Sequence, residues 1–153
     1  MGTITTALCN TFKQQLLNGT HNFGSHTFKL ALIKQSPTDN YGAATTSYDN
    51  GSNSLTGGNN DEHANGNGYT TGGVTLAGTA VSLSGTTAFV DFNDPQFTSA
   101  TLDADGCIIY NDTATNNPAV CVINFGSTQS SDNGTFTITM PTADASNAII
   151  RVA

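Results

Sequence analysis

The pattern of apolar and polar positions is helical near the start of the chain. Apolar residues recur four positions apart at Ile4, Leu8, Phe12 and Leu16, with Leu17 beside the last of them. This spacing places them on one face of an α-helix. Thr3 or Thr5 can cap its start, and Gly19 suits the left-handed turn that ends many helices. We predict a helix over about residues 3–18, whose apolar face packs on the domain or on another subunit.

Beyond residue 26 the pattern changes to the period of two that is typical of strands. The segment 27–33, TFKLALI, places Phe28, Leu30 and Leu32 on one face, and the segment 135–140, TFTITM, alternates in the same way. Six more apolar runs, separated by turn residues, begin at Val74, Thr87, Phe97, Cys107, Ala119 and Asn147. Eight short strands predict a single, mostly β domain over residues 1–153, an antiparallel β-sandwich or barrel-like domain with one short N-terminal α-helix.

One long segment, residues 35–73, breaks the strand pattern. It is rich in Gly, Asn, Ser and Thr, and it contains Tyr41, Tyr48 and Tyr69. Loops of this length are uncommon in compact domains, and they are usually functional, disordered or ordered by a partner. Tyrosines in such a background favour adaptable protein binding, but the same rings could equally hold the loop against its own sheet. Both interpretations stay open.

The stretch DADGC, residues 103–107, fits two interpretations. With Gly106 as the central glycine of a calcium loop, Asp103, Asp105 and Asp112 fall at ligand positions, but the first position holds a threonine and the last lacks the usual glutamate. Such a calcium loop lies between two helices, whereas the flanking runs here are rich in β-branched and aromatic residues. Asp-Gly between two strands is a strong hairpin signal. We predict a hairpin turn at Asp105 and Gly106, and no metal site.

The composition and net charge of the chain disfavour negatively charged partners. Only 10% of the residues are charged, against roughly 25% in an average globular protein, and the formal net charge is -7. This charge repels phosphate backbones and anionic lipids, so nucleic acid and membranes are not expected as partners. The start of the chain lacks a signal-peptide pattern, which favours a protein made in a cytosol. Three cysteines without paired spacing indicate small buried residues and no disulfide framework.

No enzyme signature accompanies these features. The patterns G-x-S-x-G, paired C-x-x-C and H-E-x-x-H do not occur, and the glycines fit neither a P-loop nor a dinucleotide fingerprint. Asp91 and Asp94 fit a strand face and a turn better than a catalytic pair. His21 and His26 have no third metal ligand in view, and they fit a solvated loop. We predict a protein that is not an enzyme, with no catalytic residues, no metal and no cofactor.

Several blocks of the sequence resemble a group of small virion structural proteins of tailed bacteriophages. The resemblance runs nearly end to end and is carried by TALCNTFKQQLLNGTHNF, TFKLALI, YGAATTSY, GNGYTTGGVTLAG, TTAFVDFNDPQFTSATLDADGCIIYN, AVCVINFG and GTFTITMPTADASNAIIRVA. Members are structural or uncharacterised proteins of phage structural gene clusters. The resemblance implies a virion component, made in the host bacterial cytoplasm, whose partners are the major capsid protein or other virion proteins.

The residue pattern and the resemblance together favour a structural role. A single small domain present in many copies suits a capsid decoration (cement) protein that stabilises the head shell, and a neck or tail structural protein is the alternative. A carbohydrate-binding or adhesive β-sandwich is a further alternative, which the absence of Trp weakens. By analogy with other decoration proteins we expect a homo-oligomer, a trimer. The residues expected to contact partners are Ile4, Leu8, Phe12, Tyr41, Tyr48 and Tyr69.

Overall fold

The computed structural model describes residues 1–153 as two antiparallel sheets and one short helix. The helix α1 spans Asn10–Leu17, and the strands are β1 (Ala7–Leu8), β2 (Phe28–Ile33), β3 (Val74–Thr75), β4 (Ala80–Ser84), β5 (Thr87–Asp91), β6 (Gln96–Asn111), β7 (Ala119–Thr137) and β8 (Ile150–Val152). One sheet has five strands in the order β1-β7-β6-β2-β3, and the other has three in the order β4-β5-β8. The fold is mostly β and sandwich-like, as predicted, and it is not a closed barrel.

Strand β2 lies inside the larger sheet, between β6 and β3. Its predicted inward residues Phe28, Leu30 and Leu32 are buried, and so are Ala31 and Ile33 on the opposite face. A strand covered on both faces needs apolar side chains at successive positions, which the run LALI provides. Strand β2 is therefore buried at every position except Lys29, and not half-buried as the alternation predicts.

The N-terminal helix is shorter than predicted, because residues 3–9 are extended or irregular. Ile4 forms a β-bridge with Tyr41, and Leu8 pairs with Cys121 in β7. Side chains four positions apart share one face of a strand as well as one face of a helix, so the spacing could not separate the two structures. The predicted helical conformation of residues 3–9 is therefore wrong.

Helix α1 itself has Cys9 at its N-cap position instead of one of the predicted threonines. Phe12 is its buried residue. Leu17 is 91% exposed, so it does not widen the apolar face as predicted. Gly19 has a φ of 79°, which confirms the predicted left-handed residue after the helix. No helix of the structure is long and apolar enough to span a membrane.

Asp105 and Gly106 do not form the predicted hairpin turn, because strand β6 continues through them, with a shift in its pairing to β7 between Ala104 and Gly106. Gly106 pairs with Ile33 on one side and with Asn124 on the other. A Cβ at this glycine would lie 2.5 Å from the carbonyl oxygen of Ile123, so the close approach of β7 explains why glycine is needed. The chain reverses only after the end of β6.

Residues 34–73 form one loop that contains isolated β-bridges but no extended strand and no helix. We call this segment the long loop. The loop contributes three residues to the hydrophobic core, namely Tyr41, Leu55 and Tyr69. A bridge between Ile33 and Glu62 also ties it to the end of β2. The long loop is therefore ordered on the core of its own chain.

The three cysteines are buried in the core, as predicted, and each has a free thiol. Burial raises the pKa of Cys9 to about 12, although the nearby Lys13 acts in the opposite direction. This thiol therefore stays protonated at neutral pH and packs as a small apolar side chain.

Candidate interaction surfaces

The six residues predicted to contact partners lie within the packing of their own chain. Three of them are at most 3% exposed, namely Phe12, Tyr41 and Tyr69. The other three are partly buried against the same core, namely Ile4, Leu8 and Tyr48. A partner could reach the first three only if the chain rearranged, so their burial favours the interpretation in which tyrosine rings hold the loop to its own sheet. A partner-binding role for the six residues stays a prediction.

Asp61 is the first of two adjacent carboxylates that anchor the long loop, and it is fully buried. It accepts hydrogen bonds from the hydroxyl of Tyr41, at 2.8 Å, and from the backbone N–H groups of Thr38 and Asp39. Lys34 Nζ lies 2.8 Å from Asp61 Oδ1 and forms an ion pair. Burial alone would raise the pKa of Asp61, but Lys34 and the hydrogen-bond donors outweigh burial and hold the pKa below its usual range.

Glu62 anchors the same loop through two other tyrosines. The hydroxyls of Tyr48 and Tyr69 each donate a hydrogen bond of 2.7 Å to its carboxylate, and the backbone N–H of Gly72 donates a third. The hydroxyl of Tyr69 also accepts a hydrogen bond from the N–H of Leu32 in β2. Burial raises the pKa of both tyrosines, and the Glu62 carboxylate raises it further. Both hydroxyls therefore stay protonated donors at neutral pH.

These two carboxylates explain how a polar loop becomes ordered. A buried charge is costly unless hydrogen bonds compensate it, and every oxygen of Asp61 and Glu62 has at least one donor. A cavity of about 260 Å³ opens beside Glu62, where both carboxylate oxygens already accept hydrogen bonds from the chain itself, so the arrangement serves as an anchor. The sequence did not reveal this pairing, because the tyrosine partners lie 7 to 20 positions away along an irregular segment.

The aspartates of the DADGC region have separate neighbours along strand β6. Asp105 accepts hydrogen bonds from the backbone N–H of Ser36 and from the hydroxyl of Thr128. These bonds tie the start of the long loop and strand β7 to β6. Asp112, which the calcium-loop pattern placed as the last ligand, forms an ion pair with Lys29 in β2. No group of three or more His, Cys, Asp or Glu side chains is placed to hold a metal ion.

His21 and His26 belong to a hydrogen-bond network in which His21 is buried, contrary to the predicted solvated loop. The side-chain amide of Asn111 lies 3.2 Å from Nδ1 of His21 and 2.9 Å from Nδ1 of His26. Nε2 of His21 faces the side-chain oxygen of Gln15 at 3.0 Å, which assigns a neutral ring that donates at Nε2 and accepts at Nδ1. Burial, aided by His26, lowers the pKa of His21 to about 4.

The smaller sheet exposes an apolar face at one end. Paired residues share a face of a sheet, so its three strands form two apolar rows. The inner row is Val81, Val90 and Ile150, and the outer row is Leu83, Ala88 and Val152. Val90 and Ile150 belong to the core, whereas Val81, Leu83 and Val152 are 60%, 72% and 53% exposed. The apolar sheet face, formed by Val81, Leu83, Ala88 and Val152, therefore extends the core outward into solvent.

A groove of about 720 Å³ runs beside the second half of β7. It is lined by β7, by the segment between β7 and β8 and by Thr6, and none of its lining residues is charged. Its hydrophobic lining residues are Ile123, Phe125, Phe136, Ile138, Met140, Ala148 and Ile149. On this side of the sheet β1 pairs with β7 only at Cys121 and Val122, and the backbone N–H of Asn124 donates to the hydroxyl of Thr6, so the edge of β7 carries no partner strand beyond Asn124. We call this feature the C-terminal groove.

Comparisons of the chain with protein-family models, with curated proteins and with solved structures found no match. The function is therefore inferred from the sequence blocks and from the two apolar surfaces, the apolar sheet face and the C-terminal groove.

Proposed function

We propose that this protein is a non-enzymatic structural protein of a tailed-bacteriophage virion, and that it decorates the capsid and stabilises the head shell. Its sequence blocks resemble small virion proteins of such phages. Among the structural observations, the exposed apolar sheet face supports the proposal most directly, because it favours a protein that works in contact with other proteins.

The apolar sheet face has the properties of a contact surface. Val81, Leu83 and Val152 are each more than half exposed and lie on one face of the smaller sheet, in its two outer strands, with Ala88 of β5 between Leu83 and Val152. Removing apolar surface from water contributes about 25 cal/mol per Å², so a partner that covers this face gains free energy. Single exposed apolar residues are ordinary on protein surfaces, whereas contiguous apolar patches mark interaction sites.

The anchored long loop suits the same role. Because Asp61 and Glu62 fix the loop to the core, binding to a partner does not need to order it, and the entropic cost of association is smaller. A rigid domain repeated over a symmetric shell gains from many weak attachments that act together. The major capsid protein or another virion protein is the partner that this role requires.

Carbohydrate binding has less support than a protein partner. Sugar recognition commonly uses an exposed aromatic ring. The exposed large hydrophobic residues of this chain are methionine, leucine and valine. A glycan array that gave specific hits would nevertheless favour the adhesive β-sandwich over the virion role.

The capsid role can be tested with particles that lack the protein. Purified protein is added to such capsids, and binding and heat-induced release of DNA are measured. We expect saturable binding and release of DNA at a higher temperature than from bare capsids, whereas capsids that already carry the protein should bind no more. Binding to isolated necks or tails and not to capsids would replace the decoration role by the neck or tail alternative, and binding to none of these parts would reject both.

A further inference from the structure

The β4–β5 hairpin is a convex apolar element that its own chain does not cover. All five residues of β4 are exposed, and the hairpin carries Val81 and Leu83 of the apolar sheet face. Ser84 and Thr87 flank a two-residue turn, in which Gly85 has a φ of 59°. In a hairpin with a two-residue turn, the two flanking residues form backbone hydrogen bonds with each other, and this bonding then recurs at every second pair. The backbone N–H and C=O groups of the intervening residues, Val81 and Leu83, therefore point away from β5. These groups form a free edge for another strand.

The C-terminal groove is a concave apolar surface of the same molecule. Phe125, Phe136 and Ile149 line it together with uncharged polar residues. The edge of β7 beside it has no partner strand beyond the two residues that pair with β1. The groove therefore offers both an apolar floor and a strand edge, which are the two features that bind an added strand.

Neither the apolar sheet face nor the C-terminal groove includes a charged residue. The chain has a net charge of -7, so two copies repel each other when acidic surfaces meet. Residues 63–90, which include β4 and all of β5 except its last residue, contain no Asp, Glu, Lys or Arg. The residues that line the C-terminal groove contain none either. The hairpin and the groove can therefore meet without this repulsion.

We propose that the β4–β5 hairpin of one copy of this chain seats in the C-terminal groove of a second copy. Leu83 and Val81 lie against the apolar lining of the groove, and the free edge of β4 lies beside the free edge of β7. This interface between copies, hereafter the joint, uses two different surfaces and is therefore heterologous. Its repetition around a rotation axis closes a ring. This joint between copies does not depend on the virion role, because it forms between purified chains.

The mass of the purified protein tests the joint. We expect wild-type protein to sediment as one discrete assembly heavier than the 15.8 kDa chain. Leu83→Lys places a charge on the hairpin, and Thr139→Lys places one in the groove, where Thr139 is exposed. Each variant should sediment as a monomer with an unchanged circular dichroism spectrum. Leu17→Lys, at a leucine that is even more exposed than Leu83 but lies on helix α1, should assemble like wild type.

Each alternative result counts against the joint. A wild-type monomer at high concentration overturns it, even if that monomer binds capsids, in which case the proposed function stands alone. If Thr139→Lys assembled like wild type, the groove would be excluded as one side of the joint. Assembly of Leu83→Lys like wild type excludes the hairpin.

Disulfide trapping tests the pairing of the two surfaces directly. A mixture of Leu83→Cys and Thr139→Cys proteins, mildly oxidised, should give mainly the mixed disulfide, because the native cysteines are buried. Leu83→Cys alone should give little dimer. A mixture of Leu17→Cys and Thr139→Cys is the matched control. Mixed disulfide no greater than in this control, or efficient dimerisation of Leu83→Cys alone, would contradict the heterologous joint.

Discussion

At the scale of the residue, Asp61 and Glu62 hold the long loop although both are buried carboxylates. The hydroxyl of Tyr41 bonds to Asp61, and the hydroxyls of Tyr48 and Tyr69 bond to Glu62. A buried charge is tolerated only while its hydrogen bonds are complete, and the loss of the charge leaves several donors without a partner. Loss of either carboxylate should therefore destabilise the loop.

Asp61→Asn should lower the free energy of unfolding by about 3 kcal/mol, because the amide leaves Lys34 without its charge partner and sets an NH2 group against the donors of Thr38. Lys34 is about a third exposed and water can solvate it, which limits the loss. Asp49→Asn is the matched control, because Asp49 is an exposed loop carboxylate that accepts one hydrogen bond, from Asn117. The free energy of unfolding of Asp49→Asn should stay within about 0.5 kcal/mol of the wild-type value. Equal stability of the two variants in urea denaturation would contradict the anchoring role.

His21 should make the protein less stable as the pH falls from about 6.5 to about 4. Its pKa is about 4 in the folded protein, against 6.5 ordinarily, so within this window the unfolded state binds a proton that the folded state does not. Protonation of the folded ring would also set an N–H at Nδ1 against the amide of Asn111. His21→Gln should remove much of this pH dependence, because glutamine does not titrate.

Urea denaturation at a series of pH values measures this dependence. His63→Gln is the control, because Nδ1 of His63 contacts the carbonyl of the adjacent Ala64, outside the network of His21. Asp61 acts in a lower window, since its stabilisation is complete above the unfolded carboxyl pKa of about 3.9 and is lost as the pH falls further. If the free energy of unfolding of His21→Gln fell between pH 6.5 and pH 4 as steeply as that of wild type, the assigned role of His21 would be wrong.

At the scale of the element, strand β6 requires glycine at position 106. Gly106→Ala should lower the free energy of unfolding by about 1–3 kcal/mol, because the new Cβ would lie 2.5 Å from the carbonyl oxygen of Ile123 and 3.1 Å from the side chain of Ile4. Gly134→Ala makes the same change in β7, where the nearest atom is 3.8 Å away, so it should stay within about 0.5 kcal/mol of wild type. Equal melting temperatures for the two variants would show that close approach does not explain Gly106.

Strand existence was more predictable than strand ends. Alternating apolar residues predict β2 and β5 near their observed bounds. The runs that start at Phe97 and Cys107 were predicted as two strands but form the single strand β6. Asp-Gly is a local turn signal, whereas the register of β6 depends on long-range pairing with β2 and β7. The chain turns instead near Asn116 and Asn117, which both have positive φ.

The candidate surfaces were less predictable than the strands. Val81 and Leu83 alternate with small residues, as in any half-buried strand, and no local signal indicates that this apolar side faces water. The C-terminal groove forms between β7 and a later segment, so only the tertiary fold brings its lining together. The loop tyrosines fitted two interpretations because their partners, Asp61 and Glu62, could not be paired with them from sequence spacing.

At the scale of the whole molecule, an acidic chain carries two uncharged apolar surfaces, which we propose as contact surfaces. Most of its surface is neutral and polar, and neither the apolar sheet face nor the C-terminal groove includes a charged residue, although Arg151 and Asp132 lie next to them in β8 and β7. A protein with this distribution can stay soluble through its net charge while it associates through a few defined surfaces.

Self-association of the purified protein should therefore strengthen as sodium chloride is raised from low to physiological concentration. Salt screens the repulsion between copies of charge -7, with a Debye length of about 10 Å at 0.1 M, and an uncharged joint loses nothing by screening. Sedimentation at several salt concentrations measures the effect, with Leu83→Lys as the control that should stay monomeric throughout. Association that weakened with salt would indicate a joint held by opposite charges.

The proposed virion role is tested most directly by the copy number of the protein in purified phage particles. Quantitative mass spectrometry against the major capsid protein gives this ratio. A decoration protein repeats with the symmetry of the shell, so we predict a fixed ratio to the major capsid protein and copies on the order of hundreds per particle. A ratio that corresponds to a few rings would place the protein in the neck or tail, and its absence from purified particles would contradict the virion role altogether.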